Sequence, residues 1–253
     1  MKRFSLAALF LGAAVLFAAL GIWQVERRAW KLDLIARTEA HLRATPVAPP
    51  LLAVGERDLF LKVRATGRLL HDRETLVQAV TERGPGWWVV TPLVTDRGTI
   101  LVNRGFVPEK RRDPRTRAAG QVTGETTITG LLRLTEPGGA FLRSNDPAVN
   151  RWFSRDVAAI ARARHLRHVA PYFIDADATP NPGGWPLGGL TVVAFPNNHL
   201  VYAITWFLLA LLSANGFLLL WRGDAARENQ TSGSASSSEI ARADLHLSRP
   251  RAL

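Results

Sequence analysis

The stretch Asn197-Asn198-His199-Leu200-Val201-Tyr202-Ala203-Ile204-Thr205-Trp206 decides how this chain is built, because there a polar, strand-like region runs into an uncharged apolar helix. From Leu200 to Trp221 no residue is charged, and about 20 apolar residues suffice to cross a bilayer. Residues 200–221 therefore read as a membrane span. Two Asn side chains at its mouth can cap free backbone N–H groups. His199, Tyr202 and Trp206 fall at i, i+3 and i+7 and so line one helix face, which can hold a flat ligand. A plainer reading stands beside this one. Tyr and Trp gather at membrane borders as amphipathic rings, and a histidine there can simply be solvated, although ionisable groups near a membrane lean towards function.

Working outward from that point, the other end of the chain carries a second apolar run. Met1-Lys2-Arg3 precede an uncharged segment from Phe4 to Ile22 whose plainly polar side chain is Ser5. A basic start before an apolar middle also describes a secretory signal, but the run is long enough to span. Phe17-Ala18-Ala19-Leu20-Gly21-Ile22-Trp23 offers no clean small-x-small cleavage site, so a retained anchor is expected. Lys2 and Arg3 flank the first span, while Arg222 and Arg227 follow the second. The positive-inside rule then puts both termini in the cytoplasm and the large segment between the spans outside it. The expected organisation is 1–3 cytoplasmic, 4–22 spanning, 23–199 extracytoplasmic, 200–221 spanning, and 222–253 a polar cytoplasmic tail, rich in serine from Ser232 to Ser238 and disordered by composition.

Composition narrows the function classes. The chain has 253 residues and a net charge of +11, which by itself permits nucleic-acid binding. A domain outside the cytoplasm meets no genome, so the charge is assigned to anionic lipid headgroups or an acidic protein partner. Cysteine is absent. That excludes a thiol oxidoreductase, a thiolate copper carrier and a covalent Cys-x-x-Cys-His haem protein.

Between the spans the hydrophobic period changes twice. Helix formers continue from the first span to about His41, and Thr45-Pro46-Val47-Ala48-Pro49-Pro50 ends them. Alternation then marks strands at Leu59–Leu70, Thr75–Val80, Trp87–Val94, Thr99–Val107 and Val122–Leu134, with turns at His71-Asp72, Gly84-Pro85-Gly86 and Asp96-Arg97-Gly98. Ser154 to Arg164 is the one soluble helix, with Ser154 as expected N-cap and Asp156 in its first turn. Tyr172–Ala176 and Leu190–Phe195 close the sheet. The fold class is thus a membrane α+β protein, with two transmembrane helices flanking a mostly antiparallel, small barrel-like domain that holds one short helix. Residues 108–120 carry Lys110, Arg111, Arg112, Arg115 and Arg117, either as a solvated loop or as a docking patch. In the spans, Ala8/Gly12, Ala14/Ala18 and Ala210/Ala214 permit close helix approach, and Asn215 wants an interhelical hydrogen bond.

No Gly-x-Ser-x-Gly, His-Glu-x-x-His or phosphate-binding glycine loop occurs. His41, His71, His165, His168 and His246 form no ligand pattern beyond the pair at 165 and 168, which suits the C-terminal dipole of the short helix. The chain therefore reads as no enzyme. A sensor is a poor fit as well, since 222–253 is too short to bury the core of an output module.

With these residues in place, the chain resembles the Surfeit-locus-1 family of cytochrome c oxidase assembly factors. Leu20-Gly21-Ile22-Trp23-Gln24 with Arg27 and Trp30-Lys31 is similar to that family's opening motif. Gly86 with Thr91-Pro92-Leu93, followed by Leu101-Val102-Asn103-Arg104-Gly105-Phe106-Val107-Pro108, resembles its central pair. Asn145-Asp146-Pro147 with Asn150, Trp152-Phe153 and Arg155-Asp156 resembles the third landmark, and Pro196-Asn197-Asn198-His199-Leu200 with Tyr202-Ala203 and Thr205-Trp206 the last. Phe106 stands where an aromatic, often Trp, is expected. The resemblance implies an assembly factor in the cell inner membrane that binds haem a and passes it to the large subunit of a haem–copper oxidase. Haem A synthase is a further implied partner, lipids surround the spans, and nucleic acid has no part. It implies His199 as ligand to the haem iron, with Tyr202 and Trp206 packing on the macrocycle. Arg104 is expected to meet either a haem propionate or a structural carboxylate. A cofactor-free chaperone that stabilises oxidase subunits is the alternative.

Overall fold

The computed structural model describes residues 2–50 and 55–222, so the expected tail over 222–253 falls, past Arg222, outside the described residues. The chain divides into two compact units, Met1–Asp33 with Phe195–Leu253, and Leu34–Ala194.

In the first unit, helix α1 (Lys2–Arg43) faces helix α3 (His199–Arg222), and both are long and apolar enough to cross a membrane. Along α1 the covered positions include the series Ala7, Phe10, Ala14, Phe17, Gly21, Gln24, Arg28 and Lys31, three and four residues apart in turn. On α3 the matching stripe is His199, Ala203, Trp206, Ala210, Ser213, Phe217 and Leu220. A 3.5-residue repeat on both partners is the seam of a left-handed, knobs-into-holes pair. The cross-contacts run in opposite order and make it antiparallel. Phe17 stacks on Trp206 at 5.6 Å, Phe207 lies over Gly21, and Phe10 over Gly216. A Cβ at Gly21 would sit 2.6 Å from the Phe207 ring, so glycine there sets how closely the helices approach.

This corrects one of the expected small-residue pairs, Ala8/Gly12, whereas Ala14, Ala18, Ala210 and Ala214 are all half-buried. Ala8 is exposed and nothing lies within 4 Å of a Cβ built on Gly12, because both fall off the seam, and close approach comes at Gly21 and Gly216 instead. Asn215 is exposed and Ser213 is the buried polar residue of α3.

The second unit is a closed five-strand barrel. Strands β1 (Lys62–Leu69), β2 (Thr75–Thr81), β3 (Gly84–Thr95), β4 (Gly98–Pro108), β5 (Glu125–Leu134) and β8 (Val169–Ala176) run in the order β1-β5-β8-β4-β3-β2. A further pairing of β1 with β3, Arg68 opposite Val94 and Leu69 opposite Leu93, shuts the barrel and leaves β2 outside it. All neighbours are antiparallel except β4 and β8. At the closure, a Cβ on Gly67 would collide with the Val94 carbonyl.

Alternation along each strand makes two cores. Ile100 and Val102 of β4, Tyr172 and Ile174 of β8, Leu93 of β3 and Val63 of β1 fill the barrel. Leu101, Phe173 and Val90 face outward under helix α2 (Val157–Ala163), with Val77, Trp152 and Ile160. Buried on both faces, β4 loses the polar alternation that marks a half-exposed strand.

Two corners are chemically the same. Thr81-Glu82-Arg83-Gly84 and Thr95-Asp96-Arg97-Gly98 each turn a hairpin, with the threonine hydroxyl accepting from the arginine N–H at 3.1 Å and donating to the glycine carbonyl. The glycines take φ of 91° and 129°, as a bulge after a tight turn requires. The turn expected at Gly84-Pro85-Gly86 is therefore the first part of β3, Pro85 sitting near a strand start where its missing N–H costs little.

Other boundaries shift for local reasons. Leu190–Phe195 forms no strand, and a two-residue hairpin unit, β6 (Gly139–Ala140) with β7 (Arg143–Ser144), lies between β5 and α2. The N-cap of α2 is Asp156, which accepts from Ala159 N–H at 2.9 Å, not Ser154. Ser154 is buried and donates to the Glu136 carbonyl. The helix stops in a Schellman turn, Leu166 N–H to Ala161 and His165 N–H to Arg162, with His165 left-handed at φ 52°.

Candidate functional site

The landmark residues of the barrel turn inward. Asp175, buried on β8, accepts from Asn103 at 2.7 Å, Arg133 at 3.0 Å, Arg155 at 3.1 Å and Thr191 at 3.0 Å. Asn103 also accepts from Gly105 N–H. Burial works against the charge on Glu136, but the Arg155 guanidinium beside it outweighs that and holds the carboxyl below the usual range. Asn145 ties 145 to 154, accepting from Phe153 and Ser154 N–H and donating to the Ser154 hydroxyl. Trp152, fully buried, donates to Asn150 at 2.8 Å.

Arg104 is 2% exposed, and among the described residues it does not hydrogen-bond the expected structural carboxylate. Its guanidinium holds the Gly120 carbonyl, Asn181 Oδ1 at 3.0 Å and His71 Nδ1 at 3.4 Å. Burial, the largest cause, lowers its pKa to about 10. His71 is fully engaged: its Nε2 donates to the Val122 carbonyl at 2.9 Å, since a carbonyl only accepts, and Nδ1 therefore takes the arginine N–H. Burial, then Arg104, lowers the His71 pKa.

The basic residues of the loop are exposed or half-buried apart from Arg117, and its arginines are engaged within the fold. Arg117 is buried against Glu74, Arg115 pairs with Asp113, Arg112 covers the Trp87 ring at 4.4 Å and Arg111 donates to the Thr116 carbonyl. Its surface presents Lys110 with exposed, paired arginines.

The opening of α3 is arranged differently. His199 is half-buried on the seam, and its Nδ1 lies 2.7 Å from Gln24 Oε1 on α1. An amide oxygen only accepts, so Nδ1 is the donor of this bond, and in the neutral imidazole Nε2 then keeps its lone pair. Among the described residues Nε2 has no hydrogen-bond partner. Asn197 Oδ1, two residues before it, is buried without a partner. Tyr202 is 55% exposed on the flank of the seam, while Trp206 is half-buried and stacked on Phe17 with 22° between planes. Of the three residues expected to share a face, His199 and Trp206 thus lie on the helix–helix seam and Tyr202 beside it. On the α1 side Lys31 sits over the Phe195 ring at 5.5 Å and Arg27 over Trp30 at 4.0 Å.

Sequence reasoning missed Gln24. The signal was available: Gln24 follows Phe10, Phe17 and Gly21 at seam spacing, and it is the polar member of that stripe nearest the apolar run. Among the described residues no cluster of three His, Cys, Asp or Glu side chains exists. A neutral imidazole with its second nitrogen anchored suits the role of an axial ligand.

The pattern described as the SURF1 family matches residues 11–211. Surfeit locus protein 1 of Homo sapiens is 41% identical over 210 residues, 76% of this chain and 69% of the relative. The SURF1-like protein of Monosiga brevicollis is 39% identical over 228 residues, covering 84% of this chain and 86% of its own length. The SURF1-like protein of Drosophila melanogaster is 35% identical over 221 residues, 79% and 71% of the two chains.

Proposed function

The chain belongs to the SURF1 family, whose members are assembly factors and not enzymes, and from that premise we propose that it serves haem–copper oxidase assembly by holding haem a on His199 and passing it to the large subunit. The observation that carries the reading is the His199–Gln24 hydrogen bond of 2.7 Å, which leaves Nε2 as a free imidazole donor on the helix pair. When bound, haem a would supply a redox-active iron centre, and His199 would be the residue that holds it. Tyr202 on the flank and Trp206 in the seam give the macrocycle aromatic neighbours.

The setting is the cell inner membrane. α1 and α3 span it, both termini are cytoplasmic by the placement of Lys2, Arg3 and Arg222, and the barrel is extracytoplasmic. Trp23, 52% exposed, with Arg27, Arg28 and Lys31, meets the headgroup layer. Haem A synthase is the donor partner in this reading and the oxidase large subunit the acceptor.

The test is the visible spectrum of detergent-purified protein made in cells that synthesise haem A, wild type against His199→Ala. A haem a band in the wild type that the substitution removes, with the fold retained, supports the proposal. A colourless wild type under haem-replete conditions defeats it and leaves a cofactor-free chaperone of oxidase subunits.

A further inference from the structure

We propose that Gln24 is the positioning residue of the site: its side-chain carbonyl locks His199 as the Nδ1–H tautomer and so presents Nε2 as the atom that meets the haem iron. The choice of iron as the ligand rests on the function proposed above. The lock itself rests on the helix pair alone.

A solvated imidazole exchanges between two neutral tautomers, and one of them carries a proton on the nitrogen that would bind metal. At 2.7 Å an acceptor-only oxygen removes that ambiguity at Nδ1. Gln24 is 9% exposed and lies on the seam stripe of α1, one turn from Gly21, where Phe207 fixes the approach of the two helices. Its carbonyl therefore has little freedom to follow another partner. Histidines that bind metals ordinarily donate their second N–H to a carboxylate or carbonyl, and loss of that partner weakens metal affinity about 10–100-fold. An amide performs the same orientation as a carboxylate without burying a charge beside an apolar layer. The site is thus composite, with the ligand on α3 and its orienting group on α1.

A purely structural bond between helices would make the tautomer irrelevant, and this separates the readings. Nitrogen-15 NMR of the haem-free, full-length protein in detergent, labelled at histidine, reports which ring nitrogen of His199 is protonated. The expected result is a proton on Nδ1 in the wild type and a shift towards Nε2–H in Gln24→Leu, which keeps volume but removes the acceptor. Titration with haem A is expected to show binding about 10–100-fold weaker in Gln24→Leu. Gln24→Glu, which retains an acceptor, is expected to restore binding and to lower the midpoint potential of the bound haem, because a carboxylate makes the imidazole a stronger donor. A wild-type His199 protonated at Nε2, or a Gln24→Leu variant with unchanged tautomer and unchanged haem A affinity, overturns the assignment. A locked wild type that takes up no haem A defeats the haem reading while the lock stands.

Discussion

The barrel and the helix pair treat their histidines in opposite ways. In the barrel, His71 uses both ring nitrogens on protein partners, Val122 and Arg104, and sits among buried groups. In the helix pair, His199 uses one nitrogen on Gln24 and keeps the other. The same contrast extends to neighbours. Asp175 has four donors, whereas Asn197 Oδ1 is buried with none. Motif residues in one region are bound to the fold, and in the other a donor atom is held ready.

The largest expected effect tests the barrel side. Asp175→Ala leaves Arg133 and Arg155 buried without that carboxylate, and removing one member of a buried charge network costs about 3–5 kcal/mol. Denaturant unfolding of the full chain in detergent is expected to show that loss. A much smaller one would mean that Glu136 carries the two guanidiniums alone.

His199→Ala is expected to cost far less stability, about 0.5–1.5 kcal/mol, the net worth of one hydrogen bond, while abolishing the haem binding proposed for it. A loss as large as that of Asp175→Ala would break the comparison, because His199 would then be a structural residue like those of the barrel.

The smallest effect is expected from a single titration in a half-buried site. The folded-state pKa of His71 lies below its unfolded value of 6.5, with burial the main cause and the Arg104 charge assisting. The unfolded chain therefore binds the proton first, so this contribution to stability is complete above pH 6.5 and declines as pH falls through 6.5 towards the lower folded value. Unfolding midpoints across that range are expected to drop in the wild type and to stay flatter in His71→Gln.

Much of this was legible in the residues. The two uncharged runs announce α1 and α3, because a bilayer demands length and apolarity and little else. Strands β1, β2, β3 and β5 show in their alternation. β4 and β8 show as apolar runs, but their parallel pairing does not, since burial on both faces erases the phase that would orient a strand. The order of pairing, with β8 inserted between β5 and β4, depends on contacts distant in sequence. Leu190–Phe195 looked like a strand because Val192, Val193 and Phe195 favour one, yet among the described residues it pairs with no strand. Ser154 looked like the helix cap because serine caps helices, but the Glu136 carbonyl takes its hydroxyl. At the site, His199 was visible as an ionisable residue at a membrane border. Gln24 was visible as a polar residue at seam spacing, but its role was not, because that arises only when α1 and α3 meet.

The closure of the barrel has a consequence for how the domain breathes. β1 holds β5 continuously from Lys62 to Arg68 but holds β3 only through Arg68–Val94 and Leu69–Leu93, over a glycine that leaves no side chain between them. A cylinder of staves with one short clasp opens at the clasp. Local unfolding follows the weakest cooperative boundary, so amide protons on either side of that clasp exchange with solvent first, and the sheet passes through an open, six-stranded ribbon before any other strand lets go.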